Sequence, residues 1–92
     1  MRLDSRVKAS EEVISTELDG EAVLMHVSHG TYYGLNAVGA VIWTLMKEPV
    51  TVERLCAAVV EEFEVEREVC ERDVFALLQE LKGAGLVEIV CE

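Results

Sequence analysis

Histidine and cysteine are the side chains of this sequence best suited to hold a metal ion or to attack a substrate. His26 lies in an alternating apolar pattern that predicts a β-strand, and His29 lies in the turn that follows. Residues three apart on a strand point to opposite faces, so the two rings are not expected to share a metal ion. The sequence therefore predicts no metal site.

The three cysteines form neither an evident disulfide framework nor an activated nucleophile. Their number is odd and no C-x-x-C pair is present, which argues against disulfides and against a zinc knuckle. Cys56 falls on an apolar helical face and is predicted to be a small buried residue. Cys70 has acidic neighbours, which raise the pKa of a thiol and disfavour nucleophilic catalysis.

The short motifs of common enzyme classes are also missing from the sequence. It contains no phosphate-binding loop, no nucleophile elbow and no H-E-x-x-H pair. We therefore expect a protein that is not an enzyme and that uses no cofactor.

The charge of the chain restricts its partners. The 92 residues include 8 Lys and Arg against 18 Asp and Glu, a formal net charge of −10. Such a chain repels nucleic-acid phosphates and anionic membranes, and it attracts basic partners. The acidic residues at 61–73 form either a solvated face or a rim that attracts a basic peptide.

A cytoplasmic location is expected from the same composition. No apolar run approaches the ~18 residues of a membrane span. Residues 1–6 lack the apolar stretch of a signal peptide. Together with cysteines that form no evident pairs, these features favour a reducing compartment. We expect neither nucleic acid nor a membrane among the partners.

The first third of the chain has the pattern of a β-meander. Residues 12–18 are rich in β-branched side chains and end at Asp19-Gly20, the strongest short signal for a hairpin turn. An alternating strand over 21–28 and a short strand over 31–35 follow. Residues 1–10 have no such pattern and are expected to be flexible.

The remainder of the chain has helical spacing. Asn36 and Thr51 are predicted N-caps of two helices that end near Lys47 and Phe63. A third helix runs from about Val69 to Lys82, and Leu86–Val90 reads as a final strand. Gly39 lies inside the first helix and is expected to permit a close approach of another segment.

These elements predict one α+β domain over residues 1–92, similar to a winged helix-turn-helix. A three-stranded antiparallel N-terminal sheet is followed by three helices and a short C-terminal strand. A meander of this kind is marginal alone and must pack against the helices.

Three segments of the sequence carry a family pattern. They are Gly30-Thr31-Tyr32-Tyr33-Gly34-Leu35-Asn36-Ala37-Val38-Gly39-Ala40-Val41-Ile42-Trp43, then Thr51-x-x-x-Leu55, and Asp73-Val74-Phe75-x-Leu77-Leu78-x-x-Leu81-x-x-x-Gly85-Leu86-Val87. These segments consist mainly of core and cap residues. In their joint order and spacing, over about residues 10–90, they resemble the PqqD-like family.

The resemblance implies a small non-catalytic module that recognises precursor peptides. Such modules hold the leader segment of a ribosomally made peptide and present its core to a modifying enzyme. That enzyme is a radical S-adenosylmethionine protein in the quinone-cofactor pathway, and the partner is a leader peptidase in lasso-peptide pathways. In the family the leader adds as a strand to the edge of the third strand and packs against the third helix.

The residues agree with that mechanism. The strand at 31–35 contains neither Pro nor Lys, the residues that commonly protect an exposed sheet edge. A partner segment can add there by β-augmentation. Carrying the family pattern over, we expect the peptide-binding residues to be Thr31, Tyr32, Tyr33, Gly34, Leu35, Val69, Arg72, Asp73 and Leu77.

Three other functions compete with this one. A winged-helix DNA-binding regulator is disfavoured, because the third helix has more acidic than basic residues. A small enzyme is disfavoured by the missing catalytic groups. An oligomerisation module could use the same exposed edge, so a homodimer is possible.

Overall fold

The structure is a computed structural model that describes residues 1–91 of the chain. Its elements are β1 Arg6–Ala9, β2 Val13–Leu18, β3 Glu21–His26, β4 Thr31–Leu35, α1 Ala37–Leu45, β5 Val50–Thr51, α2 Val52–Phe63, α3 Arg67–Gly83 and β6 Val87–Cys91. The predicted α+β order of a three-stranded sheet, three helices and a C-terminal strand is confirmed.

The predicted meander is an antiparallel sheet with the strand order β2-β3-β4. The turn between β2 and β3 has positive φ at both central residues, 53° at Asp19 and 80° at Gly20. A two-residue hairpin turn of the type that matches strand twist needs this geometry, which Asp-Gly adopts readily.

A second sheet, with the order β5-β1-β6, corrects the expectation that residues 1–10 are flexible. In β1, Val7 pairs with Val50 of β5 and is fully buried. Ala9 pairs with Val87 of β6. The partners of β1 are residues 50–51 and 87–91, which are remote from it in sequence. A four-residue strand is also too short for its alternating pattern to be recognised from the sequence.

The helices begin where the caps predict. The Asn36 side chain accepts a hydrogen bond from the Gly39 amide at 3.0 Å, and the Thr51 hydroxyl accepts one from the Arg54 amide at 3.1 Å. These bonds satisfy amide groups that a helix start leaves unpaired. No helix within residues 1–91 is long and apolar enough to cross a membrane.

One core joins both sheets to the helices. The helix α1 packs against β3, and α2 packs against both α1 and α3. Trp43 is 3% exposed and belongs to this core. The largest fully buried side chains include Leu24, Ile42, Met46, Leu55, Leu78 and Leu81.

Gly39 permits the close approach expected of it. A Cβ built on Gly39 would lie 3.1 Å from two side-chain carbons of Leu35. Leu35 is itself buried at the end of β4. The glycine therefore allows α1 to lie directly against the end of the sheet.

Cys56 and Cys70 meet in the contact between α2 and α3. Both thiols are free and buried, and the Cys70 thiol lies 3.5 Å from the carbonyl oxygen of Cys56, to which it donates. Burial raises the pKa of Cys56 to about 12 and also raises the pKa of Cys70. Both residues act as small core side chains, as predicted for Cys56.

Replacing Gly39 with alanine is expected to lower the free energy of unfolding by about 1 kcal/mol. Alanine gains ~1 kcal/mol in helix propensity, but crowding a buried neighbour costs roughly 1–3 kcal/mol. Gly83→Ala is the control, because a Cβ there meets nothing within 4 Å. Urea denaturation gives the free energy of unfolding of both variants and of the wild-type chain. An equal value for Gly39→Ala and the wild-type chain would contradict the close packing at Gly39.

Cys56 and Cys70 are expected to resist alkylation in the folded chain. At pH 8 a thiol of pKa about 12 is ionised in roughly one molecule in 10⁴. Iodoacetamide followed by peptide mass analysis should modify both residues in urea and neither in buffer. The raised pKa of Cys56 in the folded chain also makes the free energy of unfolding depend on pH. The contribution of the neutral Cys56 thiol to this free energy is complete below pH 9.0 and is lost as the pH rises toward 12. Labelling in buffer at the rate seen in urea would contradict this packing.

Candidate functional site

The outer edge of β4 has no partner strand in the described part of the chain. Within the β2-β3-β4 sheet, β4 pairs only with β3, from Leu35 opposite Ala22 to Thr31 opposite His26. The backbone groups that point away from β3 are therefore available to another extended segment. The vacant edge expected from the sequence is present.

A groove of ≈ 350 Å³ lies beside this edge, between β4, α1 and α3. Its floor is apolar, since Ile42 and Val74 are almost fully buried and Leu35 is only 5% exposed. The lining residues are Tyr33, Gly34, Leu35, Asn36, Val38, Gly39, Ile42, Asp73, Val74 and Leu77. Such a site can receive apolar side chains of a strand that adds to β4.

The α3 wall of the groove follows from helical spacing. Asp73 and Leu77 are four residues apart and therefore lie one above the other on the same helix face. Asp73 is exposed and Leu77 is half-buried. Asp73 is the one charged residue among the lining residues, so the groove offers a single carboxylate to a basic side chain.

A hydrogen bond joins the strand to the helix. The Tyr33 hydroxyl donates to the Glu80 carboxylate, across 47 positions of sequence. This bond raises the pKa of Tyr33, since the carboxylate favours the protonated phenol, and burial and the charge of Glu80 add to the effect. The bond fixes the spacing between β4 and α3.

The structure brings together some of the expected site residues and separates others. Tyr33, Gly34, Leu35, Asp73 and Leu77 line the groove. The other four expected residues lie on the same two elements but outside the lining: Thr31, Tyr32, Val69 and Arg72.

Helix geometry explains the two α3 residues outside the groove. Val69 lies one turn before Asp73 on the same face and is 38% exposed. Arg72 is exposed and lies about 100° around the helix from Asp73. Both therefore flank the groove on α3 without lining it.

Sequence reasoning missed the α1 side of the groove. Asn36 and Gly39 were assigned only a cap and a close contact, yet both also line the groove. No sequence signal points to Glu80, because its partner Tyr33 is remote in sequence. The signal for the α1 residues was their position within the matched motif.

The two histidines are arranged differently from the prediction. Their rings stack with centroids 4.0 Å apart, and the His29 amide donates to Nδ1 of His26 at 3.3 Å. The expectation of opposite faces is wrong because β3 ends at His26 and the turn brings His29 back. Glu12 lies 3.5 Å from the other ring nitrogen of buried His26. The described residues contain no group of three or more His, Cys, Asp or Glu that could hold a metal ion.

Comparison with solved structures identifies two similar chains. One is TbiB1 in complex with the TbiA(beta) leader peptide, with a TM-score of 0.83 and 39% sequence identity over 92% of this chain and 99% of that chain. The other is lasso peptide synthetase B1 complexed with the leader peptide, with a TM-score of 0.77 and 28% identity over 89% and 96%. A comparison with curated proteins found no match.

The sequence also matches a family model. The model is that of coenzyme PQQ synthesis protein D (PqqD), and the match extends over residues 21–87. These residues include the meander from β3 onward, all three helices and the start of β6. Because the match covers more than half of its length, the chain belongs to the PqqD family.

Proposed function

We propose that this chain is a non-catalytic adaptor that holds the leader segment of a ribosomally made precursor peptide and presents the precursor to a modifying enzyme. The unpaired edge of β4 beside an apolar groove is the observation that carries this proposal. The leader adds to β4 as a further strand, and alternate side chains enter the groove.

The solved relatives support the class of ligand. Both solved structures are complexes with a leader peptide. They contain TbiB1, which is 39% identical to this chain, and lasso peptide synthetase B1, which is 28% identical. The modifying enzyme is of the leader-peptidase or the radical S-adenosylmethionine type. A cytoplasmic location fits this role, because Cys56 and Cys70 are free thiols.

The site residues divide by the contact they make with the leader. Residues 31–35 supply backbone hydrogen bonds. Leu35 and Leu77 contact apolar leader side chains, and Asp73 pairs with a basic one. Val69 and Arg72 continue the same contact along α3 toward its start, where a longer leader passes.

Energies of the expected size suffice for a reversible complex. Four or five new backbone bonds contribute about 1 kcal/mol each, and one or two buried apolar side chains contribute about 1.5–3 kcal/mol each. Ordering a flexible leader offsets part of this gain. When ordering costs roughly 3 kcal/mol of the largest sum, the net free energy is about −8 kcal/mol, which corresponds to micromolar affinity.

DNA binding through α3 is not favoured by the arrangement of charges. Of the basic residues on this helix, Arg67 is already paired with Glu53 and Glu71. Besides Arg67 and its partner Glu71, the helix carries two basic residues, Arg72 and Lys82, against three carboxylates, those of Glu68, Asp73 and Glu80. A recognition helix needs an exposed basic face.

Truncating Leu77 to alanine is expected to weaken leader binding about tenfold, because the groove loses roughly 1.4 kcal/mol of apolar contact. The ligands are the two leader peptides bound in the solved relatives, that of TbiB1 and that of lasso peptide synthetase B1. Calorimetric titration gives the affinity. Leu18→Ala is the matched control, since Leu18 is 70% exposed and does not line the groove.

Amide chemical shifts should change mainly at residues 31–35 and 69–77 when the leader is added. The absence of leader binding would contradict the proposal, and so would shift changes confined to other elements. If concentration alone produced the same shifts without peptide, the edge would be an oligomerisation surface instead.

Replacing Glu80 with glutamine is expected to lower the pKa of Tyr33 toward its ordinary value of 10.0, because the carboxylate that favours the protonated phenol is gone. Ultraviolet absorbance during an alkaline titration follows the phenol, with Tyr32→Phe removing the second tyrosine signal. Glu88→Gln, which removes an exposed carboxylate on β6, is the control and should leave the midpoint unchanged. An unchanged midpoint in Glu80→Gln would contradict the bond between β4 and α3.

A further inference from the structure

The face of the β2-β3-β4 sheet that points away from the helices is apolar and exposed. Its exposed apolar residues are Ile14 (56%), Leu18 (70%), Val23 (46%) and Tyr32 (71%). Strand register places Ile14, Met25 and Tyr32 in one row across the three strands. Because side chains in register share a face, these residues form one continuous patch, termed here the outer sheet face.

This composition is unusual for a solvated surface. The chain has a net charge of −10 and 28% charged residues, yet Glu21 is the one charged residue on the outer sheet face. Antiparallel sheets normally present polar side chains to water on the face opposite the core. A contiguous apolar patch on such a protein marks a surface that another molecule covers.

A depression lies at the edge of the outer sheet face. Gly34 has no side chain, and a Cβ built there would meet nothing within 4 Å. The space is part of a cavity of ≈ 370 Å³ at the end of the sheet, and its lining includes the carboxylates of Asp19 and Glu21. The lining residues are Leu18, Asp19, Glu21, Ala22, Val23, Gly34, Leu35 and Asn36, of which the last three also line the groove beside β4. An apolar wall with carboxylates beside it fits a lysine or arginine, whose stem is apolar and whose end is cationic.

We propose that the outer sheet face docks the modifying enzyme, through an apolar surface of that enzyme that inserts a lysine or arginine side chain into the depression at Gly34. The proposal rests on the adaptor function argued above. Charge supports this occupant, since a chain of net charge −10 attracts basic partners and the carboxylates of Asp19 and Glu21 lie at the depression.

Continuity with the leader site also supports the enzyme as the occupant. The strand β4 takes part in both surfaces, its edge for the leader and its outer side chains for the enzyme. A leader strand added to β4 extends the sheet, so alternate leader side chains continue the outer sheet face beside Tyr32. An enzyme docked there touches the leader that it must recognise.

A second copy of the chain fits the face less well. Two copies meeting through it would bring together Asp19 and Glu21 of each, on chains that each carry a net charge of −10. Like charges brought together at an interface oppose association.

The test measures two affinities of the full chain for each variant. Surface plasmon resonance gives the affinity for the purified leader peptidase of the lasso-peptide pathway that contains the 28%-identical synthetase B1, at saturating leader of that pathway. Calorimetry gives the affinity for the leader alone. Leu18→Ala and Glu21→Lys are expected to weaken enzyme binding about tenfold or more and to leave leader binding within about twofold.

The control for Glu21→Lys is Glu88→Lys. Both residues are exposed on strands, and both substitutions change the net charge by the same amount. Glu88 lies in the second sheet, so this variant is expected to keep the enzyme affinity within about twofold. Circular dichroism melting shows that each variant is folded.

Four results would overturn the proposal. They are equal weakening by Glu21→Lys and Glu88→Lys, unchanged enzyme affinity in Leu18→Ala and Glu21→Lys, no enzyme binding by the wild-type chain, and self-association of the wild-type chain that Leu18→Ala abolishes in light scattering. Failure of the adaptor function itself is recognised separately, by the absence of leader binding in calorimetry.

Discussion

A strand edge with unpaired N–H and C=O groups is the constraint on which the rest of this structure depends. Water satisfies the hydrogen-bonding groups of such an edge in the free chain. An extended segment of another molecule can replace that water with backbone hydrogen bonds of its own. The chain leaves β4 in this state because it turns into α1 at Asn36 instead of forming another hairpin. The strand β6 pairs with β1 in the other sheet.

The second sheet thus has a functional consequence. By pairing residues 6–9 with residues 50–51 and 87–91, the β5-β1-β6 sheet holds these strands away from β4 and anchors α3 through the segment that leads into β6. The start of α3 is tied to α2 through the ion pair of Arg67 with Glu53 and through the buried Cys70 thiol, which donates to the carbonyl oxygen of Cys56. The groove keeps its shape because both of its walls belong to one packed core.

The proposed binding events share β4 but use different parts of it. The leader uses the backbone edge and the inner groove, whereas the enzyme uses side chains on the outer sheet face. Adding a strand extends that face, so a bound leader enlarges the surface that the enzyme meets. The arrangement provides a physical route by which one small domain distinguishes the loaded state from the empty one.

Local patterns in the sequence determined most of the elements. The Asp19-Gly20 turn, the caps at Asn36 and Thr51 and the helical spacing of the apolar residues each depend on near neighbours, so they are readable from the residues alone. The matched segment at 30–43 indicated the edge strand, and the matched segment that begins at Asp73 indicated part of the facing helix, with Asp73 and Leu77. Tertiary structure alone decided the pairing of β1 with β5 and β6, the α1 side of the groove, the contact of Tyr33 with Glu80 and the stacking of His26 on His29. These features join segments that are remote in sequence or reversed by a turn, and their free energy depends on packing that no local pattern records.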